Sequence, residues 1–135
     1  MGTRSLTIIY DELDQELCTL YRQMDGDLNE HGRELAEFLS NRTLVNGIGI
    51  SLHLDDKEKA NGMGCLAAQL VSHFKEDFVG SFYLVPSGSD CDEDFTYRVY
   101  PKGKKLDLEV SDSKYDVIFS GDPTELVKRV KQFDN

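Results

Sequence analysis

Past the middle of this chain the apolar residues stop recurring every third or fourth position and begin to alternate. Phe82/Leu84, Phe95/Tyr97/Val99, Leu106/Leu108/Val110 and Tyr115/Val117/Phe119 each step by two. A period of two puts one face of a strand on a core, so four strands are predicted, over 80–86, 94–100, 104–110 and 115–119. No helical stretch separates them, as a parallel arrangement would need, so they are expected to pair antiparallel. Residues 101–103 (Pro-Lys-Gly) make a short turn, and residues 87–93 a longer acidic loop.

The same alternation opens the chain. Leu6, Ile8 and Tyr10, then Leu17, Thr19 and Tyr21, predict strands over 4–10 and 16–23, joined as a hairpin by polar residues 11–15. Asp25-Gly26 breaks the second strand. Helical spacing follows: Leu28, Leu35, Phe38 and Leu39 mark a helix to about Ser40 that Asn29 can cap, and Leu66, Leu70, Val71 and Phe74 mark a second that starts around residues 60–64 and runs to about Lys75. Residues 43–56 are apolar but interrupted by glycine, and fit neither period. The last helix is the most explicitly signalled: Asp122 at N-cap, Pro123 at N1 and Glu125 at N3 precede Leu126, Val130 and Phe133. The expected fold is α+β, in the order ββ-α-α-ββββ-α. One antiparallel sheet carries its helices on one face, in a single domain over residues 1–135.

Charge narrows the function. With 25 Asp and Glu against 15 Lys and Arg in 135 residues, the net charge is −10. Phosphate backbones bind clustered lysine and arginine, so direct DNA or RNA binding is not expected. The 39% hydrophobic fraction, with seven Phe and six Tyr, is enough for a core.

The first residues show only about five apolar positions before Asp11, too few for a secretory leader or a membrane span. Leu6 stands where a myristoylation signal needs Ser or Thr. Asn41-Arg42-Thr43 matches a glycosylation sequon, a chance match without export. Cys18, Cys65 and Cys91 form no C-x-x-C pair, and His31, His53 and His73 lie 22 and 20 residues apart. Neither a zinc site nor a disulfide framework is expected, and the chain reads as reduced and cytoplasmic, with no bound cofactor.

Two N-G-x-G segments, Asn46-Gly47-Ile48-Gly49 and Asn61-Gly62-Met63-Gly64, are the most unusual local feature. The second lies just before a helix, where Gly62 and Gly64 let a ligand approach the backbone and free N–H groups favour an anion. The spacing meets no standard nucleotide fingerprint, and turn or capping glycine is the plainer reading. Arg22, at a strand end beside Tyr21, can hold phosphate bidentately or pair with Asp25 or Asp27. Phe82, Tyr83, Tyr97, Arg98 and Tyr100 can line a nucleotide pocket or fill sheet core. Asp90, Asp92, Glu93 and Asp94 lack the spacing of a calcium loop. They read as a solvated loop or a docking surface for a basic partner. No Ser, His and Asp arrangement suggests nucleophilic catalysis, so no enzyme activity is expected.

Thr3-Arg4-Ser5, Tyr21-Arg22-x-x-Asp25-Gly26, Gly32-x-x-Leu35-x-x-Phe38-Leu39 and residues 61–68 (NGMGCLAA) together resemble a family of short, largely uncharacterised proteins of phages, prophages and bacterial genomes. Members of that family often carry an aromatic after the Asp-Gly, where this chain has Asp27. The chain is also similar, in size, acidity and mixed sheet-helix plan, to phage sponge proteins of the Thoeris anti-defence class. The resemblance implies a phage accessory protein in the host cytoplasm and supplies no catalytic residues. The expected function is sequestration, without turnover, of a small nucleotide immune signal. Its binding residues would be Tyr21, Arg22, Asn46, Asn61, Gly62, Gly64, Phe82 and Arg98. The alternatives are an anti-CRISPR-like protein–protein inhibitor acting on a bacterial defence protein, and an interaction protein without a defence role. A homo-oligomer fits any of them.

Overall fold

In the computed structural model, residues 2–47 and 58–133 are described, 131–133 as helical backbone only. Strands β1 (Ser5–Tyr10) and β2 (Glu16–Arg22) form the opening hairpin. A single π-helical turn, Leu28–Gly32, leads into α1 (Arg33–Ser40). Two short strands, β3 (Thr43–Val45) and β4 (Lys59–Asn61), pair with each other, and α2 (Gly62–Lys75) follows. Then come β5 (Phe82–Val85), β6 (Phe95–Lys102), β7 (Lys105–Asp112), β8 (Val117–Gly121) and α3 (Pro123–Phe133). The fold is α+β.

Six strands make one sheet in the order β5-β2-β1-β6-β7-β8. It is antiparallel except at its centre, where β1 and β6 run parallel, Thr7 opposite Tyr97. Alternation sets which face of a strand is buried but not the direction of its neighbour, so the expectation of a wholly antiparallel sheet fails at this pair. The β3–β4 pair is parallel too, Val45 opposite Asn61. Residues 48–56 of the glycine-interrupted stretch, with Gly49 and His53, lie outside the described residues.

One face of the sheet carries all three helices. Ile9, Leu20, Tyr97, Val99, Leu108, Val110 and Phe119 point into a single core with Leu35, Phe38 and Leu39 of α1, Met63, Leu66, Leu70 and Phe74 of α2, and Leu126 and Val130 of α3. Burying such side chains removes roughly 1.5–3 kcal/mol of exposure cost each, and this core is what holds the helices to the sheet. Because β5 and β6 point the same way on opposite sides of the hairpin, residues 86–94 must return across the sheet, and the helix-free face is the course left open. Leu6 and Ile8 are buried on that face although no helix covers them.

Asn29 does not cap α1. The helical chain begins a turn earlier with Asp27 at the N-cap position, whose carbonyl accepts the Gly32 N–H at 3.2 Å. The widened π turn carries His31 into the core. Asp122 does cap α3, accepting the Thr124 N–H at 2.9 Å, as its sequence signal requires.

Candidate functional site

The expected binding residues fall into three places. Asn46, Asn61, Gly62 and Gly64 gather at the start of α2. Arg22 and Phe82 lie under the helices. Tyr21 and Arg98 lie on the helix-free face.

At the start of α2 the strand pair brings the two glycine segments together. Val45 lies opposite Asn61 in the register, and the Asn61 carboxamide oxygen accepts the Gly47 N–H at 3.0 Å. Asn61 therefore occupies the N-cap position of α2 without capping it, its side chain being spent on the other segment. The tip of the β6–β7 hairpin closes the far wall, where the Lys104 carbonyl accepts the Leu44 N–H at 2.8 Å. Between these walls is a cavity of about 920 Å³. Leu44, Val45 and Pro101 give it an apolar side, and Lys59 and Lys104 give it positive charge.

Gly62 enters the helix at φ +81°, a conformation that a residue with a side chain resists. A Cβ on Gly64 would meet nothing within 4 Å, so the backbone there is open to approach. The first turn is not empty of negative charge, however. Glu12, from the β1–β2 turn, accepts the Met63 N–H with Oε2 at 3.0 Å. A carboxylate of the chain itself thus sits where helix N–H groups and the helix dipole favour an anion. Sequence reasoning missed Glu12, because 51 residues separate it from Met63.

Arg22 is committed elsewhere. Its Nε donates to the Met24 carbonyl at 2.8 Å, and Nη1 donates to His31 Nδ1 at 3.1 Å and lies 3.5 Å from Glu34 Oε2. The guanidinium stands 4.9 Å over the Phe82 ring. Arginine has no acceptor, so Nδ1 of His31 is unprotonated and Nε2–H donates to Thr7 Oγ1 at 2.7 Å. Burial first, and the Arg22 charge second, push the His31 pKa down to about 3. This is a structural network and leaves Arg22 no free fork for a ligand.

On the other face Tyr21 stacks on Tyr83, ring centroids 6.1 Å apart, and Arg98 pairs with Glu109 at 3.9 Å. Tyr10 stacks on Tyr100 at 4.5 Å; burial, then Tyr10, raise the Tyr100 phenol to about 12. Among the described residues no aromatic ring lines the glycine cavity, so Tyr21 and Phe82 do not supply a base-stacking side chain there.

The acidic loop closes on itself. Asp90 and Glu93 accept backbone N–H groups of Asp92 and Cys91, both at 3.0 Å. Asp94 accepts the Arg4 N–H at 3.0 Å, while the Arg4 guanidinium meets Asp92 at 3.4 Å. Among the described residues no group of three His, Cys, Asp or Glu side chains could hold a metal ion, and no helix is long and apolar enough to cross a membrane. Comparison of the chain with family models, curated proteins and solved structures gives no match.

Proposed function

We propose that the protein binds a small phosphate-bearing ligand, without turnover, in the cavity at the start of α2. The observation that carries this reading is the Asn61–Gly47 hydrogen bond, which joins both glycine segments beside a helix N-terminus and two lysines. Backbone N–H groups and Lys59 and Lys104 supply local compensation for an anion in a chain of net charge −10. Leu44, Val45 and Pro101 offer an apolar wall to a sugar or base. The phage setting rests on the resemblance of residues 3–5, 21–26, 32–39 and 61–68 to phage and prophage proteins. The nucleotide immune signal and the anti-defence role rest on the likeness in size, acidity and mixed sheet-helix plan to phage sponge proteins, and sequestration is the role that binding without chemistry would serve.

Calorimetry of the full chain with cyclic dinucleotides, cyclic trinucleotides and ADP-ribose-type cyclic signals tests the reading. Lys104→Ala is the cleaner variant, because Lys104 lines the cavity, whereas Gly64 does not and any side chain at Gly62 is strained by its positive φ. Binding that survives Lys59→Ala and Lys104→Ala places the ligand elsewhere; no binding, or a ligand recovered cleaved, overturns the reading.

A further inference from the structure

Residues 78–89 (FVGSFYLVPSGS) contain no charged side chain, in a chain that is 30% charged. They include β5, one edge of the six-stranded sheet. Leu84 is 63% exposed there and Val79 fully so, with Phe78, Tyr83 and Leu17 partly exposed nearby. Beside the strand, Cys18 and Leu84 face Ala67, Ala68 and Val71 of α2 across an apolar groove of about 460 Å³.

The backbone of this edge is almost wholly closed. Antiparallel ladders alternate, so every second residue turns its N–H and C=O away from the partner. Gln23 N–H donates to the Ser81 carbonyl at 2.9 Å, which puts Ser81, Tyr83 and Val85 on the β2 side and turns Phe82 and Leu84 outward. Phe82 is already satisfied: its N–H donates to the Gly80 carbonyl at 2.7 Å and its carbonyl accepts Lys75 Nζ at 3.0 Å. Pro86 has no N–H. Among the described residues of this edge, Leu84 alone is left with an outward donor and acceptor.

We infer that β5 is a homodimer contact, with Leu84 of one copy opposite Leu84 of a second about a two-fold axis. One residue pair in an antiparallel ladder exchanges two hydrogen bonds, and that satisfies both copies at once. A longer foreign strand is blocked by Lys75 at one end and Pro86 at the other, which favours a second copy as occupant. Charge agrees: a two-fold contact sets a surface against itself, and in an acidic chain an uncharged segment avoids like-charge repulsion there. A stable interface needs at least about 1,000 Å², more than one short strand buries, so the α2 groove, whose charged lining residues, Lys75 and Glu76, are of opposite sign, and Phe78–Val79 would have to join it.

Light scattering of the full chain over a dilution series should give twice 15.3 kDa at high concentration. Leu84→Lys should shift the mass to monomer with circular dichroism unchanged, and Val117→Lys on the opposite edge should leave the dimer intact. Amide exchange on the wild-type chain gives a readout that needs no variant: the Leu84 N–H should be protected when concentrated and exposed on dilution. A wild-type monomer at all concentrations, a folded Leu84→Lys dimer, a dimer dispersed by Val117→Lys, or a Leu84 amide indifferent to dilution overturns the inference.

Discussion

The Arg22 guanidinium donates to Nδ1 of a wholly buried His31 across 3.1 Å, and this contact fixes the imidazole as neutral. Its folded pKa, near 3, is depressed below the ordinary 6.5. Between those values the unfolded chain takes up a proton that the folded chain refuses, so stability is full above 6.5 and falls as the pH falls toward 3. His31→Gln keeps a donor and an acceptor but does not titrate. Urea unfolding at pH 7 and pH 5.5 should show the wild type losing about 1 kcal/mol more than the variant. Equal losses would mean that His31 is protonated in the folded state.

Arg22→Ala should act on stability. It leaves the buried Nδ1 of His31 without its donor, at a cost of about 1–3 kcal/mol, as for an unsatisfied buried acceptor. Any ligand affinity should be unchanged under conditions where the variant is folded. A stable variant with weakened binding would return Arg22 to the ligand.

Gly26→Ala should destabilise for a different reason. A Cβ there would lie 2.7 Å from Ser5 Cβ and 2.8 Å from the Ser5 backbone nitrogen, a clash that only a backbone shift relieves. Overpacking of this kind costs about 1–3 kcal/mol, read as a lowered denaturation midpoint. A wild-type midpoint would show that the two segments can separate freely.

Three of the four segments on which the resemblance rests, residues 3–5, 21–26 and 32–39, meet at this same place. Thr3 accepts the Gly26 N–H at 2.9 Å, Tyr97 O–H donates to the Gly26 carbonyl at 2.8 Å, and a Cβ on Gly32 would lie 3.4 Å from the Tyr97 ring. Residue type and spacing mark such positions as special but do not say whether a ligand or the chain itself is the reason. Arg22 illustrates the ambiguity: a strand-end arginine beside an aromatic has the composition of a phosphate clamp, and His31, nine residues on, takes its fork instead.

The alternating strands and the α3 cap were legible because their signals are local. The parallel β1–β6 pair was not, since it depends on how residues 86–94 cross the sheet. The glycine cavity was half legible. Asn61 and Gly62 stand out in the sequence, but their partners Glu12 and Lys104 reach them only through the tertiary fold. Helix periodicity likewise located α1 but not the π turn before it, whose extra width serves a buried histidine.

Asp122→Ala tests the best-marked terminus. The carboxylate accepts the Thr124 N–H, and that hydrogen bond holds its pKa below the usual 3.8. Loss of the cap should cost about 1 kcal/mol at neutral pH. A depressed carboxyl pKa contributes stability above the unfolded value and loses it as pH falls, so the difference from wild type should shrink below 3.8. A constant difference down to pH 2 would assign the effect to packing.

Glu12→Ala bears most directly on the proposed ligand. Its carboxylate occupies the Met63 N–H, so an anion entering the first turn of α2 must displace it or bind beside a like charge. Removing it should lower stability by about 0.3–1 kcal/mol, the usual worth of an anion at a helix N-terminus. The same free energy should then reappear as tighter binding, roughly two- to fivefold by calorimetry with the cyclic nucleotide that the wild type accepts. Glu12→Gln should give a smaller gain, because the amide oxygen still accepts the Met63 N–H without the charge. Affinity that is unchanged or weakened in both variants would put the ligand away from the α2 terminus, even if the protein binds it well.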